Sequence, residues 1–102
     1  MILLTDEIKK ALPALYSTED IKCEDKEIIV RFFNPMGNQS WQIVEGDPIG
    51  GGDWTLFGLC DLGFGCAEWG YVSLNELESV HSYIGIERDI LVGPSELHPE
   101  WD

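Results

Sequence analysis

Three segments rich in β-branched and aromatic residues occupy the middle of this chain and most restrict its possible folds. They cover residues 27–33, 40–45 and 54–60, and loops rich in glycine, proline and asparagine separate them at 34–38 and 46–53. Such segments favour β-strands, and short loops of this composition favour antiparallel connections between them. The sequence therefore predicts an antiparallel meander, with a further strand over residues 67–72 after the loop at 61–65.

Two short amphipathic helices are predicted on either side of these strands. Thr5 is a suitable N-cap for a helix that Pro13 should end near Leu12. Ser73 and Glu76 form a capping box ahead of a second apolar stripe that extends to residue 84. A short strand over 86–92 and an irregular tail from residue 93 would complete the chain. Since helices and strands do not alternate as in βαβ units, we expect one small α+β domain over residues 1–102, with four to five strands.

The chain is strongly acidic, with 19 Asp and Glu against 6 Lys and Arg and a formal net charge of -13. The imbalance is uneven, because Arg88 is the single basic residue of positions 32–102. A hydrophobic content of 44% is enough for a packed core, so this charge belongs to a folded body. Binding of single-stranded nucleic acid combines aromatic residues with a basic groove, so direct nucleic-acid binding is disfavoured.

The start of the chain and its cysteines both favour a location in the cytoplasm. The first residues have no basic region and no long apolar run, which argues against a signal peptide or a membrane span. Cys23, Cys60 and Cys66 are an odd number without the dense spacing of a secreted disulfide scaffold. We expect reduced thiols and a cytoplasmic protein.

An ordered set of short motifs extends along most of the chain. It comprises Gly-Asp-Pro at 46–48, Gly-Asp-Trp at 52–54, Phe-Gly at 57–58, Glu68, Gly-Tyr at 70–71, Ser-Leu at 73–74, Glu-Leu-Glu at 76–78 and Ile-Glu-Arg-Asp at 86–89. This set resembles an uncharacterised domain-of-unknown-function family of small acidic bacterial proteins, often carried on plasmids, conjugative elements and phages. The resemblance implies a mobile-element setting, in which counter-defence proteins are common. It implies no established activity.

Several residues could in principle support enzymatic or metal chemistry, but their spacing argues against it. The glycine-rich loop at 46–53 lacks the lysine of a P-loop, and its carboxylates would repel phosphate. Those carboxylates could hold a hard cation, although no EF-hand pattern is present. Cys60, Cys66, His81 and His98 do not show the paired spacing of a structural zinc site. We expect neither a metal nor a cofactor, and a small metal-dependent or carboxylate-based hydrolase that uses carboxylates between 45 and 68 remains an alternative.

The acidic residues themselves provide the leading functional hypothesis. Glu45 and Asp47 are two apart in an extended segment, so their side chains would project on one side about 7 Å apart, near the spacing of successive phosphates. We expect a non-enzymatic interaction protein, of antirestriction or anti-CRISPR type, that occupies the basic nucleic-acid-binding surface of a target protein. Generic acidity for solubility, and an accessory subunit of a larger complex, remain alternatives. The oligomeric state stays open, and the candidate partner-binding residues are Glu45, Asp47, Asp53, Trp54, Asp61 and Glu68.

Overall fold

A computed structural model describes residues 2–94, which form one antiparallel sheet with two helices. In chain order the elements are α1 Asp6–Ala11, a 3₁₀ turn at Cys23–Asp25, β1 Val30–Phe33, β2 Ser40–Gly50, β3 Asp53–Asp61, β4 Ala67–Ser73, α2 Leu74–Ile84 and β5 Glu87–Arg88. The strands lie in the order β4-β3-β2-β1-β5. The predicted α+β meander is confirmed.

Both helices begin at the caps that the sequence predicts. The Thr5 hydroxyl accepts a hydrogen bond from the Ile8 amide, and the Ser73 hydroxyl accepts one from the Glu76 amide. α2 ends at Gly85, whose φ of +65° is a left-handed conformation that glycine adopts without a Cβ penalty.

The two faces of the sheet have different roles. Because paired residues of antiparallel strands share a face, the register places Trp41, Ile43 and Leu56 on one side. There they pack with α1 and α2 through Ile8 and Leu77 in a single core cluster. We call this side the helix face. The opposite side, which carries Glu45, Phe57 and Tyr71, is called the open face.

Three element boundaries differ from the sequence-based expectation. β2 continues to Gly50, where a loop was expected from residue 46, because residues 46–48 pair with residues 54–56 of β3. Gly46 lies close to the core, since a Cβ there would lie 2.8 Å from Leu56 Cδ2 and would have to displace that side chain. β1 is shorter than expected, and the last strand is confined to Glu87–Arg88. The expected tail, including His98, falls mostly outside the described residues.

A β-bulge at Val44 sets the relation between β2 and β3. Ile43 pairs with Gly58 and Glu45 pairs with Phe57, so two β2 steps oppose one step of β3. The backbones approach so closely that a Cβ on Gly58 would lie 1.9 Å from the Gln42 carbonyl oxygen. The bulge therefore depends on glycine at position 58.

No helix within residues 2–94 is both long and apolar enough to cross a membrane.

We expect Gly58→Ala to lower the free energy of unfolding by about 2 kcal/mol, since the new methyl group must displace backbone rather than a mobile side chain. Chemical denaturation measures the change. Gly70→Ala is the matched control. Gly70 lies on β4 opposite Gly58, and a Cβ on Gly70 would meet nothing within 4 Å. Similar losses in both variants would contradict the close approach at Gly58.

Candidate functional site

A segment without regular strands crosses the open face between α1 and β1, and we call residues 13–29 the strap. At its start the Gly46 amide donates to the Pro13 carbonyl at 2.9 Å, and at its end the Ile29 amide donates to the Ile43 carbonyl at 2.9 Å. β1 pairs with β2 only from Ser40 to Ile43. The strap therefore bonds to the part of β2 that extends beyond β1.

The Glu45 carboxylate anchors the strap to the sheet. Its side chain projects from β2 and is buried, with 4% of the residue exposed. Oε1 accepts a hydrogen bond from the Tyr16 amide at 2.9 Å, and Oε2 accepts from the Thr18 amide at 3.2 Å and from the Thr18 hydroxyl. One side chain thus binds three donors of the strap.

Lys26 balances the charge of this buried carboxylate. Its ammonium lies 3.4 Å from Glu45 Oε2 and donates to the Thr18 hydroxyl at 2.6 Å and to the Thr18 carbonyl. The side chains of Lys26 and Glu45 are 6% and 5% exposed. A buried ion pair is stable only when further hydrogen bonds satisfy both groups, and Thr18 provides them.

The backbone of the strap is strained where it meets Glu45. Tyr16 has a φ of +67°, a left-handed conformation that is rare for an aromatic residue and costs about 1–2 kcal/mol. The same residue donates its amide to Glu45, and the neighbouring Leu15 amide donates to Asp47 Oδ2 at 3.0 Å. The two carboxylates of β2 hold the chain in this conformation.

The balance of these contacts fixes the charge on Glu45. Burial acts to raise its pKa, but the hydrogen bonds from Thr18 and Tyr16 and the charge of Lys26 outweigh burial and hold the pKa below its usual 4.5. Glu45 is therefore ionised at neutral pH, and both of its oxygens can accept hydrogen bonds from the strap.

The six candidate partner-binding residues do not lie on one surface. Glu45 and Asp47 share the open face, and both bind strap amides. Asp61 lies farther along this face, where it accepts from the Gly63 amide at 2.9 Å. Glu68 pairs with Cys60 on the helix face, on the exposed strand β4.

Asp53 and Trp54 have structural contacts at the start of β3. Asp53 Oδ1 accepts hydrogen bonds from the Trp54 amide at 2.8 Å and from the Asn75 amide at 2.9 Å, which links β3 to the first turn of α2. Trp54 packs against the core cluster, away from the strap. A role for either in partner binding stays a prediction.

The strap carries exposed carboxylates that the sequence analysis did not single out. Its exposed acidic residues are Glu19, Asp20, Glu24, Asp25 and Glu27. Their density in the sequence was the signal that could have identified them. Lys22 is the strap's exposed base, since Lys26 is buried against Glu45. Elsewhere Arg31 pairs with Asp89 at 3.1 Å and Arg88 is buried. Internal contacts thus take up three of the six basic residues and leave the strap with excess negative charge.

Aromatic side chains line the open face beside the strap. Phe57 lies 5.8 Å from Trp69 and 5.0 Å from Tyr71 between ring centroids. The Tyr16 ring, carried by the strap, lies 6.4 Å from the Tyr71 ring. Tyr16 and Tyr71 are 60% and 54% exposed, which is high for large aromatic residues. Tyr is one of the residues enriched among those that contribute most to binding at protein interfaces.

The cysteines and carboxylates do not form a metal-binding cluster within residues 2–94. No group of three or more His, Cys, Asp or Glu side chains in that range is arranged to hold an ion. Burial raises the pKa of the Cys60 thiol, which disfavours the nucleophilic thiolate. The cysteines of the described residues are free thiols, as expected.

The fold and this site define a small α+β protein in which a buried glutamate holds an acidic strap across an aromatic sheet face. A family model described as a protein of unknown function, DUF2958, matches residues 3–101, and the chain belongs to this family. The resemblance to an uncharacterised family is confirmed. No curated protein and no solved structure matches the chain significantly.

We expect Glu45→Gln to destabilise the protein by about 3 kcal/mol at neutral pH, because it leaves the buried Lys26 charge without its partner. The depressed pKa of Glu45 means that its stabilisation is complete above 4.5, the ordinary value, and is lost as pH falls through the lower pKa of the folded protein. The difference in the free energy of unfolding between wild type and variant should therefore become smaller at acidic pH. Denaturation curves at several pH values measure it.

Glu68→Gln is the matched control, since Glu68 is exposed on β4. It should change stability by less than about 0.5 kcal/mol. A Glu45→Gln effect equally small at neutral pH, or one that grows in acid, would contradict the anchor.

Proposed function

We propose that this chain is a non-enzymatic cytoplasmic interaction protein whose acidic open face docks on the basic nucleic-acid-binding surface of a target protein. A counter-defence inhibitor, of antirestriction or anti-CRISPR type and carried on a mobile element, is the biological role that fits this activity. The observation that carries the proposal is the strap's run of five exposed carboxylates, beside which Lys22 is the strap's one exposed base, since Lys26 is buried against Glu45.

The mechanism is competitive occupation of the target. Strap carboxylates such as Glu24 lie on the same side of the sheet as Asp61, since Glu24 lines a pocket with Leu59 and Trp69 of the open face. A row of such charges offers a target's Lys and Arg residues what a phosphate backbone offers. At low salt, electrostatic steering should increase the rate of association with the target. The affinity should fall as added salt screens the charges.

The exposed carboxylates of the strap are better candidates for docking than Glu45 and Asp47, from which the hypothesis began. Glu45 and Asp47 bind strap amides, so their principal role is to position the strap, whereas its exposed carboxylates are available to a partner. In this proposal β2 supplies the anchor and residues 19–27 supply the docking charges.

We expect the immobilised protein to capture a nucleic-acid-binding protein from a bacterial host lysate at low salt, and to release it at high salt or on addition of DNA or RNA. The double variant Asp20→Lys with Glu24→Lys should reduce capture at least tenfold, because like charges then face the basic target. The amount captured is measured by quantitative mass spectrometry.

The matched control is Glu7→Lys with Glu78→Lys, which changes the net charge equally at exposed positions on α1 and α2, the helices that pack on the helix face. It should retain most of the captured protein. Equal losses in the two double variants would show that total charge alone matters, and capture that is insensitive to salt and competitor would contradict the proposal.

An accessory subunit of a larger complex is a second candidate, favoured by exposed apolar side chains at the β3–β4 connection. Phe64 is 86% exposed and Leu62 is 51% exposed, beside the edge strand β4. Contacts of this kind would resist high salt. A partner that stays bound at high salt and is lost on Phe64→Ser would support this role instead.

A further inference from the structure

An open pocket of about 410 Å³ lies between the strap and the open face of the sheet. The Tyr16 ring and Ile21 border it from the strap, and Phe57 and Tyr71 border it from β3 and β4. Glu19 and Glu45 also line it, together with Lys26. The pocket therefore exists only while the strap is anchored across the sheet.

Three aromatic rings are inclined to one another around this pocket. Tyr16 and Tyr71 are tilted by 52°, and Phe57 and Tyr71 are tilted by 48°. Inclined rings present faces in more than one direction, as in the aromatic cages that bind organic cations. The exposure of Tyr16 and Tyr71 leaves these rings accessible from solvent.

The electrostatic environment of the pocket is negative. Glu45 is balanced by Lys26, whose ammonium is held by Glu45 and Thr18, so the exposed Glu19 supplies unneutralised charge. The pKa of Tyr71 is raised, first by the neighbouring Tyr16 side chain and further by the nearby charges of Glu45 and Glu19. An anionic ligand would be repelled, whereas a cation would gain both aromatic and carboxylate contacts.

Arginine is the cation that best matches this combination. Its planar guanidinium stacks on aromatic rings while its N–H groups bind a carboxylate, and it is less strongly hydrated than an ammonium ion. We propose that the pocket between Tyr16, Phe57 and Tyr71 receives an arginine side chain of the basic partner, with the guanidinium against the rings and hydrogen-bonded to Glu19. This inference rests on the proposed function, since the partner's basic surface supplies the arginine.

The pocket is tested without the partner by NMR titration of the full chain with a blocked Gly-Gly-Arg-Gly-Gly peptide. We expect saturable shifts of the Tyr16 and Tyr71 ring signals. The same peptide with citrulline, which has the shape of arginine without its charge, should bind at least fivefold more weakly, and the lysine peptide should also be weaker. Equal affinity for arginine and citrulline, or shifts that map elsewhere, would overturn the inference.

Variants assign the binding to the pocket. Tyr71→Leu should weaken the arginine peptide about three- to tenfold, and Glu19→Gln should weaken it by a similar factor. Tyr83→Leu is the matched control, because Tyr83 is 88% exposed on α2 and lies outside the pocket. It should leave the affinity unchanged, and amide spectra establish that each variant is folded. An effect of Tyr83→Leu as large as that of Tyr71→Leu would contradict the assignment.

The pocket and the wider proposal can fail separately. If the arginine peptide does not bind while capture of a target still depends on Asp20 and Glu24, the pocket inference alone is wrong. If the pocket distinguishes arginine from citrulline while capture does not depend on these strap carboxylates, acidic docking is wrong.

Discussion

The buried Glu45 carboxylate is the contact on which the rest of this structure depends. It projects from the middle of the sheet and binds donors of the strap through both of its oxygens. Removing a carboxylate from water is costly, and the cost is offset only because Lys26 and Thr18 complete its environment. Together with Asp47, this buried residue of β2 positions the strap, a polar segment rich in exposed carboxylates, over the sheet.

This anchor creates the two features of the open face from which function is proposed. It holds the strap carboxylates where internal bases do not neutralise them, and it brings the Tyr16 ring beside Tyr71. The β-bulge at Val44 contributes by setting the register in which Glu45 and Phe57 are paired on the open face. Gly58 permits the close backbone approach at that point. Packing on the helix face and the placement of the strap on the open face are therefore coupled through one register.

The sequence was enough to predict most helices and strands, but not to predict what the acidic side chains contact. The capping signals at Thr5 and Ser73 and the apolar segments located the helices and the strands, because these preferences are local. The extension of β2 was missed, since Gly46 and Pro48 favour loops locally whereas pairing with β3 keeps them in a strand. The internal role of Glu45 could not be predicted, because it depends on contacts with Tyr16 and Thr18, which are 29 and 27 positions away in the sequence. The acidity of residues 19–27 was visible, but its position over the aromatic face followed only from the fold.

Amide hydrogen exchange at Tyr16 and Thr18, compared between wild type and Glu45→Gln, tests the role of the anchor most directly. We expect slow exchange of both amides in the wild type and exchange about a hundredfold faster in the variant, while amides of β3 remain protected. Fast exchange of the two amides in the wild type, or protection that is unchanged in the variant, would show that Glu45 does not hold the strap.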